Sequence, residues 1–298
     1  MARSKKQKKI KFILTVICLI ILAVLWFVIK PMLEPTYEVP SGTAEFHFID
    51  VGQGDAVLIK EGNINILVDT GDKDAKDELL GYLDDHGVTV IDYFVITHFD
   101  SDHFANAVDV LEKYDVKKLV IPDQVKTTKM YETFMAKAEE QTDAGLIEVL
   151  NANDMVGENL VSDPLEVKVL GPLKNDYDDS NDYSIVLMAR YGNKRVLLTG
   201  DAEKEAEEDL VARYMSSDLD CDVYKLGHHG SRTSSSQELL DKATPSVVVV
   251  SCGKDNKYGH PHPEAWDRVK EKERYRTDEQ GTIIVSIAND EITVKTEK

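Results

Sequence analysis

The chain has 298 residues, of which 42% are hydrophobic and 30% are charged, a composition that indicates a folded core and excludes a disordered chain. Its 54 acidic residues outnumber 35 basic residues, so the formal net charge is −19 at pH 7. A charge of this size repels polyanions at long range, so a nucleic-acid or phosphate-bearing substrate would need metal ions or a local basic patch.

The N-terminus combines a basic tail, residues 1–11, with an apolar stretch. We expect residues 12–30 to cross a bilayer as one helix with the tail in the cytoplasm, which would place the rest of the chain outside the cell. A cleaved signal peptide is the alternative, but its apolar region is usually only about 7 to 15 residues long. Residues 31–42 then form a stalk, and residues 43–298 form the extracellular domain. The first thirty residues contain seven bases and no acid, which leaves a net charge of −26 for the rest.

The first half of the domain contains short apolar runs separated by turn residues. Strands are predicted at 43–51, 55–59 and 64–69, joined by "GQG" and "EGN". "DELLGYLDDHG" is typical of a helix that ends at Gly87, "DYFVIT" of a buried strand, and "FANAVDVLEKY" of a second helix.

The second half of the domain repeats this order. Residues 183–201 predict a hairpin that turns at Gly192 and Asn193, and residues 282–296 predict a closing hairpin. Between them, helical patterns at 202–215, 236–243 and 263–272 alternate with strand patterns at 222–227 and 245–251. Two sheets packed face to face with helices outside, a four-layer αββα sandwich, account for this repeat.

Four polar clusters each follow a predicted strand. They are Asp69, the loop "THFDSDHFAN" at 97–106, Asp201, and the pair His228 and His229. Active sites of layered α/β folds lie in loops at one edge of the sheets, so these loops are candidates to converge. Each cluster alone has a structural explanation, since Asp201 could cap a helix, Asp69 could close a turn and the histidine pair could lie on the surface. Their joint position at strand ends favours one site.

The loop 97–106 contains the ligand types of a transition-metal site. Its two imidazoles and two carboxylates are donors that Zn²⁺, Mn²⁺ or Fe²⁺ accept. Alternate side chains of an extended segment point the same way, so we expect His98, Asp100 and Asp102 to share a face while the turn brings His103 round. A two-metal site needs a bridging carboxylate as well, and Asp201 fits that role.

In this order, "VDTG", "THFDSDH", "LLTGDAE" and "GHHGS" resemble the motifs of the metallo-β-lactamase superfamily. The fuller phrases "FIDVGQGDAVLI", "NDYSIVL", "LGHHGSRTSSS" and "YGHPHP" resemble the extracellular hydrolase domain of the ComEC competence family, over residues 43–298. Two departures stand out. Asp100 replaces the superfamily's usual second histidine, and this chain has one predicted membrane segment where ComEC is a multi-spanning channel.

The resemblance implies two divalent metal ions, Zn²⁺ or Mn²⁺. It places one metal on His98 and Asp100 and the other on Asp102, His103 and one histidine of the pair, for which His228 is preferred, with Asp201 as the bridge. The carboxylate of Asp100 favours Mn²⁺ more than a third imidazole would. The third-motif histidine has no match, and Asn181 stands nearest to it; Asp69 is a further candidate.

The remaining implied residues concern substrate. Asp102 and His229 are candidate catalytic residues, and Ser231, Arg232, His260 and His262 are candidate substrate-binding residues. A serine-rich turn that caps a helix and a proline-shaped loop are the structural alternatives for the last four.

The expected function is therefore that of a membrane-anchored, extracellular phosphodiesterase or nuclease, with DNA as the implied substrate. A phosphodiesterase of wall or phosphocholine-bearing polymers and a non-catalytic surface module are the alternatives. A separate channel or cell-surface protein is an expected partner.

Overall fold

Two β-sheets lie face to face in the computed structural model of the protein, which describes residues 9–13, 15–17, 19–20 and 37–298. In chain order the strands are β1 (Thr43–Phe48), β2 (Val57–Glu61), β3 (Ile64–Val68), β4 (Val90–Val95), β5 (Asp115–Ile121), β6 (Glu148–Asn151), β7 (Asn159–Val161), β8 (Leu165–Gly171), β9 (Val186–Tyr191), β10 (Lys194–Leu198), β11 (Val223–Lys225), β12 (Val247–Val250), β13 (Glu273–Arg276), β14 (Ile283–Ala288) and β15 (Glu291–Thr296). The first sheet has the order β15-β14-β1-β2-β3-β4-β5-β6, and the second has the order β13-β12-β11-β10-β9-β8-β7.

Short helices connect the strands. They are α1 (Lys76–Asp85), α2 (Ser101–Phe104), α3 (Ala107–Lys113), α4 (Lys129–Asp143), α5 (Lys204–Arg213), α6 (Ser216–Leu219), α7 (Gln237–Ala243), α8 (Pro263–Arg268) and α9 (Thr277–Gln280). Single 3₁₀ turns occur at Lys73–Ala75, Ala152–Met155, Asn181–Tyr183 and Gly227–Gly230.

Each sheet has an antiparallel half and a parallel half. Strand β1 is antiparallel to β14 and β2, so Phe46 lies opposite Val285 and Ile59. Strands β3 to β6 run parallel in the first sheet, and β10 to β13 run parallel in the second. Parallel neighbours end at a common edge of a sheet, where ligands of α/β proteins usually bind.

The core is divided into three layers of apolar side chains. Between the sheets, Phe46 of β1 belongs to one cluster with Leu187 of β9. Leu79 of α1 packs on the outer face of the first sheet, and Leu210 of α5 packs on the outer face of the second. Each such buried side chain stabilises the fold by about 1.5 to 3 kcal/mol. The predicted two-sheet α/β sandwich with helices outside is confirmed.

The predicted helix at 104–114 is interrupted at Asn106, which separates α2 from α3. The side-chain amide of Asn106 donates to the carbonyl oxygens of Thr70 and Asp72, both at 2.8 Å, and its backbone N–H donates to the Thr70 hydroxyl. These bonds fix the loop after β4 to the loop after β3. Strands β5 to β8, helix α4 and strand β13 are not predicted by the patterns above.

The N-terminal segment is described in part. Residues 9–13, 15–17 and 19–20 are helical, and the side chains of Phe12 and Leu19 are exposed. Among the described residues, no helix has the length and apolar character needed to cross a bilayer. Much of the predicted span 12–30 and of the stalk 31–42 lies outside the described residues. Residues 38–298 form a compact unit of their own.

Candidate metal centre

The four predicted clusters meet at the ends of β3, β4, β10 and β11. Backbone conformation there is unusual, because Asp69, His228 and His229 all have positive φ angles, of 61°, 47° and 52°. For residues other than glycine such conformations cost about 1 to 3 kcal/mol each and are concentrated at functional sites. The fold therefore holds these side chains in orientations that a relaxed loop would not keep.

His98 and His103, from the loop after β4, are completely buried. The Nδ1 atom of His98 lies 3.2 Å from the Thr97 hydroxyl and 3.3 Å from the Ser184 hydroxyl. The Nδ1 atom of His103 lies 2.8 Å from an Asp69 carboxylate oxygen, to which it donates. That bond fixes Nδ1 as a donor to Asp69 and turns Nε2 toward the cluster, where a metal ion could replace the second ring proton.

Asp201 stands at the centre of the cluster. Its Oδ2 atom lies 3.2 Å from Nε2 of His103, 3.4 Å from Nε2 of His229 and 3.6 Å from Nε2 of His228. Its backbone N–H donates to the Ser184 hydroxyl. A carboxylate with imidazole nitrogens on several sides has the position of a bridging ligand.

His229 and His228 differ in their surroundings. His229 is buried, its Nδ1 donates to the Ser251 carbonyl oxygen at 3.0 Å, and its Nε2 lies 3.3 Å from Oδ2 of Asp102. His228 is 22% exposed, and its Nδ1 lies 2.8 Å from Glu203. From the sequence, His228 is the preferred ligand. The geometry favours His229, whose Nε2 points to two carboxylates.

Among the described residues, four groups of donors satisfy the geometric demand of a metal site, because the three ligand atoms of each lie within 4.8 Å of one another. Two of the groups are His98, His103 and Asp201, and Asp102, His103 and His229. The other two both contain Asp55: Asp55, Asp201 and His229, and Asp55, Asp69 and His103. The Nε2 atoms of the three histidines and Oδ1 of Asp201 are buried and make no hydrogen bond within the described part of the chain. Buried polar atoms without partners are costly, so this set fits divalent metal ions.

The carboxylates of the cluster shift the pKa values of its histidines. Burial opposes protonation of His103 and His229, but Asp201 and the neighbouring aspartates outweigh burial and raise the pKa of both well above the usual value. Burial and the charge of His103 instead lower the pKa of His98 to about 3. In the absence of metal ions, the protons on His103 and His229 therefore balance part of the negative charge of the aspartates.

Asp100 and Asn181 line the cavity without belonging to any of these donor groups. An oxygen of Asp100 accepts hydrogen bonds from Lys126 at 2.9 Å and from the Ser180 hydroxyl at 2.8 Å. The Asn181 side chain lies 3.4 Å from Glu203. Their predicted roles near the first metal stay predictions.

A cavity of about 150 Å³ opens over the donors. Its lining residues are Gln53, Asp100, Asp102, Asn181, Asp201, His228, His229, Tyr258 and His260. Of the predicted substrate-binding residues, His260 thus lines this cavity, and the centroid of the His262 ring lies 4.8 Å from that of the His260 ring. Ser231 hydrogen-bonds Thr233, and Arg232 lines a neighbouring cavity of about 510 Å³.

Sequence reasoning missed an ion pair beneath the donors. Lys225 of β11 pairs with Asp55, and each side chain is only 2% exposed. Asp55 Oδ1 lies 3.5 Å from Nδ1 of His229. A lysine within the apolar strand "DVYKLG" is the signal that could have revealed this pair, because lysine is almost never buried without a partner.

The loop that carries Asp55 approaches the metal-site loop through Gly54. The Asp55 N–H donates to the Asp102 carbonyl oxygen at 3.1 Å. Gly54 has φ +148°, and a Cβ atom at that position would overlap the same carbonyl oxygen. Only glycine allows the two backbones to come this close.

A profile of the metallo-beta-lactamase superfamily matches residues 49–254, more than half of the sequence. The chain belongs to this superfamily. The resemblance to the ComEC competence family is also confirmed. ComE operon protein 3 of Bacillus subtilis is 31% identical over 83% of this chain and 33% of its own length. Recombination protein 2 of Haemophilus influenzae is 29% identical over 94% of this chain and 32% of its own length. The chain thus spans about a third of the length of these relatives.

Solved structures show the same fold at low identity. The metallo-beta-lactamase fold protein YhfI of Bacillus subtilis has a TM-score of 0.54 with 12% identity, and the match covers 81% of this chain and 99% of YhfI. CmlA, a diiron β-hydroxylase from Streptomyces venezuelae, has a TM-score of 0.50 with 16% identity, covering 80% of this chain and 53% of CmlA. Because this fold also occurs in a hydroxylase, the fold alone does not identify the reaction of this chain, which depends on the residues of its site.

Proposed function

We propose that the protein is a membrane-anchored, extracellular phosphodiesterase that uses two divalent metal ions and acts on DNA. The observation that carries the proposal is the set of buried imidazole nitrogens and carboxylate oxygens that point at one another without hydrogen bonds. Such a set is costly without cations and matches the ligand types of dinuclear hydrolases.

The predicted metal ligands form two sets that share Asp201. One ion would be bound by His98 and the other by Asp102, His103 and His229, and Asp201 would contact both. When bound, two such ions supply hydroxide from water at neutral pH and neutralise charge that develops on a phosphate. Zn²⁺ and Mn²⁺ both fit nitrogen and oxygen ligands.

The protein's own groups orient these ligands. The Nδ1–H group of His103 donates a hydrogen bond to Asp69, and that of His229 donates one to the Ser251 carbonyl oxygen. Both rings therefore present Nε2 to the cluster. Burial and the charges of His229 and His228 lower the pKa of His260 to about 4, so its imidazole is neutral at pH 7. A neutral imidazole at the mouth can accept a hydrogen bond from substrate or water.

Support for DNA and for the membrane comes from the sequence. The relatives include ComE operon protein 3 and Competence protein ComA of Neisseria gonorrhoeae, which is 31% identical over 78% of this chain and 30% of its own length. A strongly acidic domain can still engage a phosphate if the attraction is local and comes from metal ions. The basic tail and apolar stretch of residues 1–30, with Phe12 and Leu19 exposed on a helix, support the anchor.

The test uses the purified full-length chain loaded with Mn²⁺ or Zn²⁺. We expect wild type to hydrolyse bis(p-nitrophenyl) phosphate and to contain about two metal equivalents per chain by elemental analysis. Asp201→Asn should lose the hydrolysis and contain less metal. The isosteric change Asp154→Asn, at an exposed carboxylate outside the site, is the control and should alter neither.

Different outcomes separate the rival functions. A wild-type chain that binds two ions but cleaves no phosphodiester would refute the proposal, and a chain that binds fewer would favour a non-catalytic surface module. Parallel assays on single-stranded DNA and on teichoic-acid fragments distinguish a nuclease from a wall-polymer phosphodiesterase. Fractionation of cells with detection of the domain by external protease tests the anchor and its orientation.

A further inference from the structure

A row of rings leads from the metal centre to the surface. The His229 and His260 rings are 6.1 Å apart between centroids with 29° between their planes, and the His260 and Tyr258 rings are 5.5 Å apart with 21° between their planes. Exposure rises along this row, from 1% at His229 to 8% at His260 and 51% at Tyr258. Tyr258 is therefore the solvent-facing end of a stack whose inner end is a candidate metal ligand.

The loop that carries Tyr258 is held in place by side-chain hydrogen bonds. The amide of Asn256 donates to the carbonyl oxygens of Gly253 and His260 and accepts from the His260 N–H. The Gly253 N–H donates to the side chain of Gln53, which lies in the cavity lining. These bonds tie both ends of the loop to the site and hold the backbone around Tyr258 beside the cavity that Tyr258 lines.

We propose that Tyr258 is a stacking site for a nucleobase of a single-stranded substrate, next to the phosphodiester held at the metal centre. This inference rests on the proposed phosphodiesterase function and extends it to a specificity-determining residue. A flat aromatic ring at a rigid site accepts any base, because every base presents a π-face. The stack with His260 supports the ring from behind.

The charge beside Tyr258 favours a base over the cationic head group of a choline-bearing polymer. The exposed ammonium of Lys257 lies 4.8 Å from the centroid of the Tyr258 ring. A quaternary ammonium would have to approach this like charge and compete with it for the ring. A nucleotide has complementary charge, because its base can displace the ammonium from the ring while its phosphate attracts it.

The test compares two labelled oligonucleotides of equal length and charge, one of single-stranded DNA and one in which every base is removed. Fluorescence anisotropy measures their affinity for the full-length chain reloaded with Mn²⁺, and both strands carry phosphorothioate linkages that resist cleavage. We expect wild type to bind the base-containing strand more tightly. Tyr258→Leu should weaken that binding about 5- to 150-fold and leave the abasic strand unaffected, whereas Tyr258→Phe should keep the preference.

Equal affinity of wild type for the two strands, or an equal effect of Tyr258→Leu on both, would overturn the stacking site. Metal content of each reloaded variant shows whether the centre is intact. The proposed function fails separately, because its failure is the absence of phosphodiester hydrolysis by wild type, which the binding measurement does not require.

Discussion

Replacement of Lys225 by methionine should destabilise the protein far more than loss of a surface lysine. The Lys225 and Asp55 side chains are each 2% exposed, so the change leaves an aspartate buried without its partner. Breaking a buried ion pair from one side costs about 3 to 5 kcal/mol. The pair Lys76 and Asp109 is the matched control, because its side chains are 47% and 30% exposed and such pairs contribute about 0 to 1 kcal/mol.

Chemical denaturation of Lys225→Met, Lys76→Met and the double variant Asp55→Asn/Lys225→Met measures these differences. Because the penalty arises from an uncompensated charge, the double variant should recover a large part of the stability that Lys225→Met loses. The charges of Lys225 and His229 lower the pKa of Asp55 to about 2 despite its burial, so the carboxylate is ionised throughout the neutral range.

Two results would refute this reasoning. If Lys225→Met costs no more than Lys76→Met, the buried pair does not carry the stability assigned to it. If Asp55→Asn/Lys225→Met is as unstable as Lys225→Met alone, the loss comes from packing of the lysine chain and not from the unpaired charge. Metal binding should weaken in Lys225→Met as well, because Asp55 lies 3.5 Å from His229.

Three further outcomes follow from the geometry. His229→Ala should lose about one metal equivalent by elemental analysis whereas His228→Ala should retain both; the reverse result would restore the preference for His228. Mn²⁺ at about 100 times Kd should raise the free energy of unfolding by about 2.7 kcal/mol for each bound ion, measured by chemical denaturation. Metal binding should also release protons from His103 and His229, so the apparent metal affinity should fall as pH decreases; calorimetry in buffers of different ionisation enthalpy measures this release. Gly54→Ala should lower the metal content by displacing the Asp102 backbone. Gly52→Ala is the control, because there is open space around its Cβ position and the change should only add backbone strain. Equal metal content in the two variants would contradict this.

The position of the four clusters at strand ends could be predicted because it depends on local pattern. Each cluster follows an apolar run that the structure shows as a strand, and β3, β4, β10 and β11 all lie in the parallel halves of their sheets. Parallel strands end at one edge, so strand order fixes which loops meet. Partners supplied by distant residues were beyond this reasoning. Lys126, which bonds Asp100, comes from the loop after β5, a strand with no sequence prediction.

The choice between His228 and His229 could not be made from periodicity. Alternation of side chains between two faces assumes extended backbone, and it would send adjacent residues to opposite sides in a predictable order. Both histidines instead have left-handed φ and ψ angles, 47° and 50° for His228 and 52° and 26° for His229. The turn they form sends His229 inward to Asp102 and Asp201 and leaves His228 against Glu203. The left-handed backbone of this turn therefore decides which imidazole is buried against Asp102 and Asp201, and the residue types alone do not encode it.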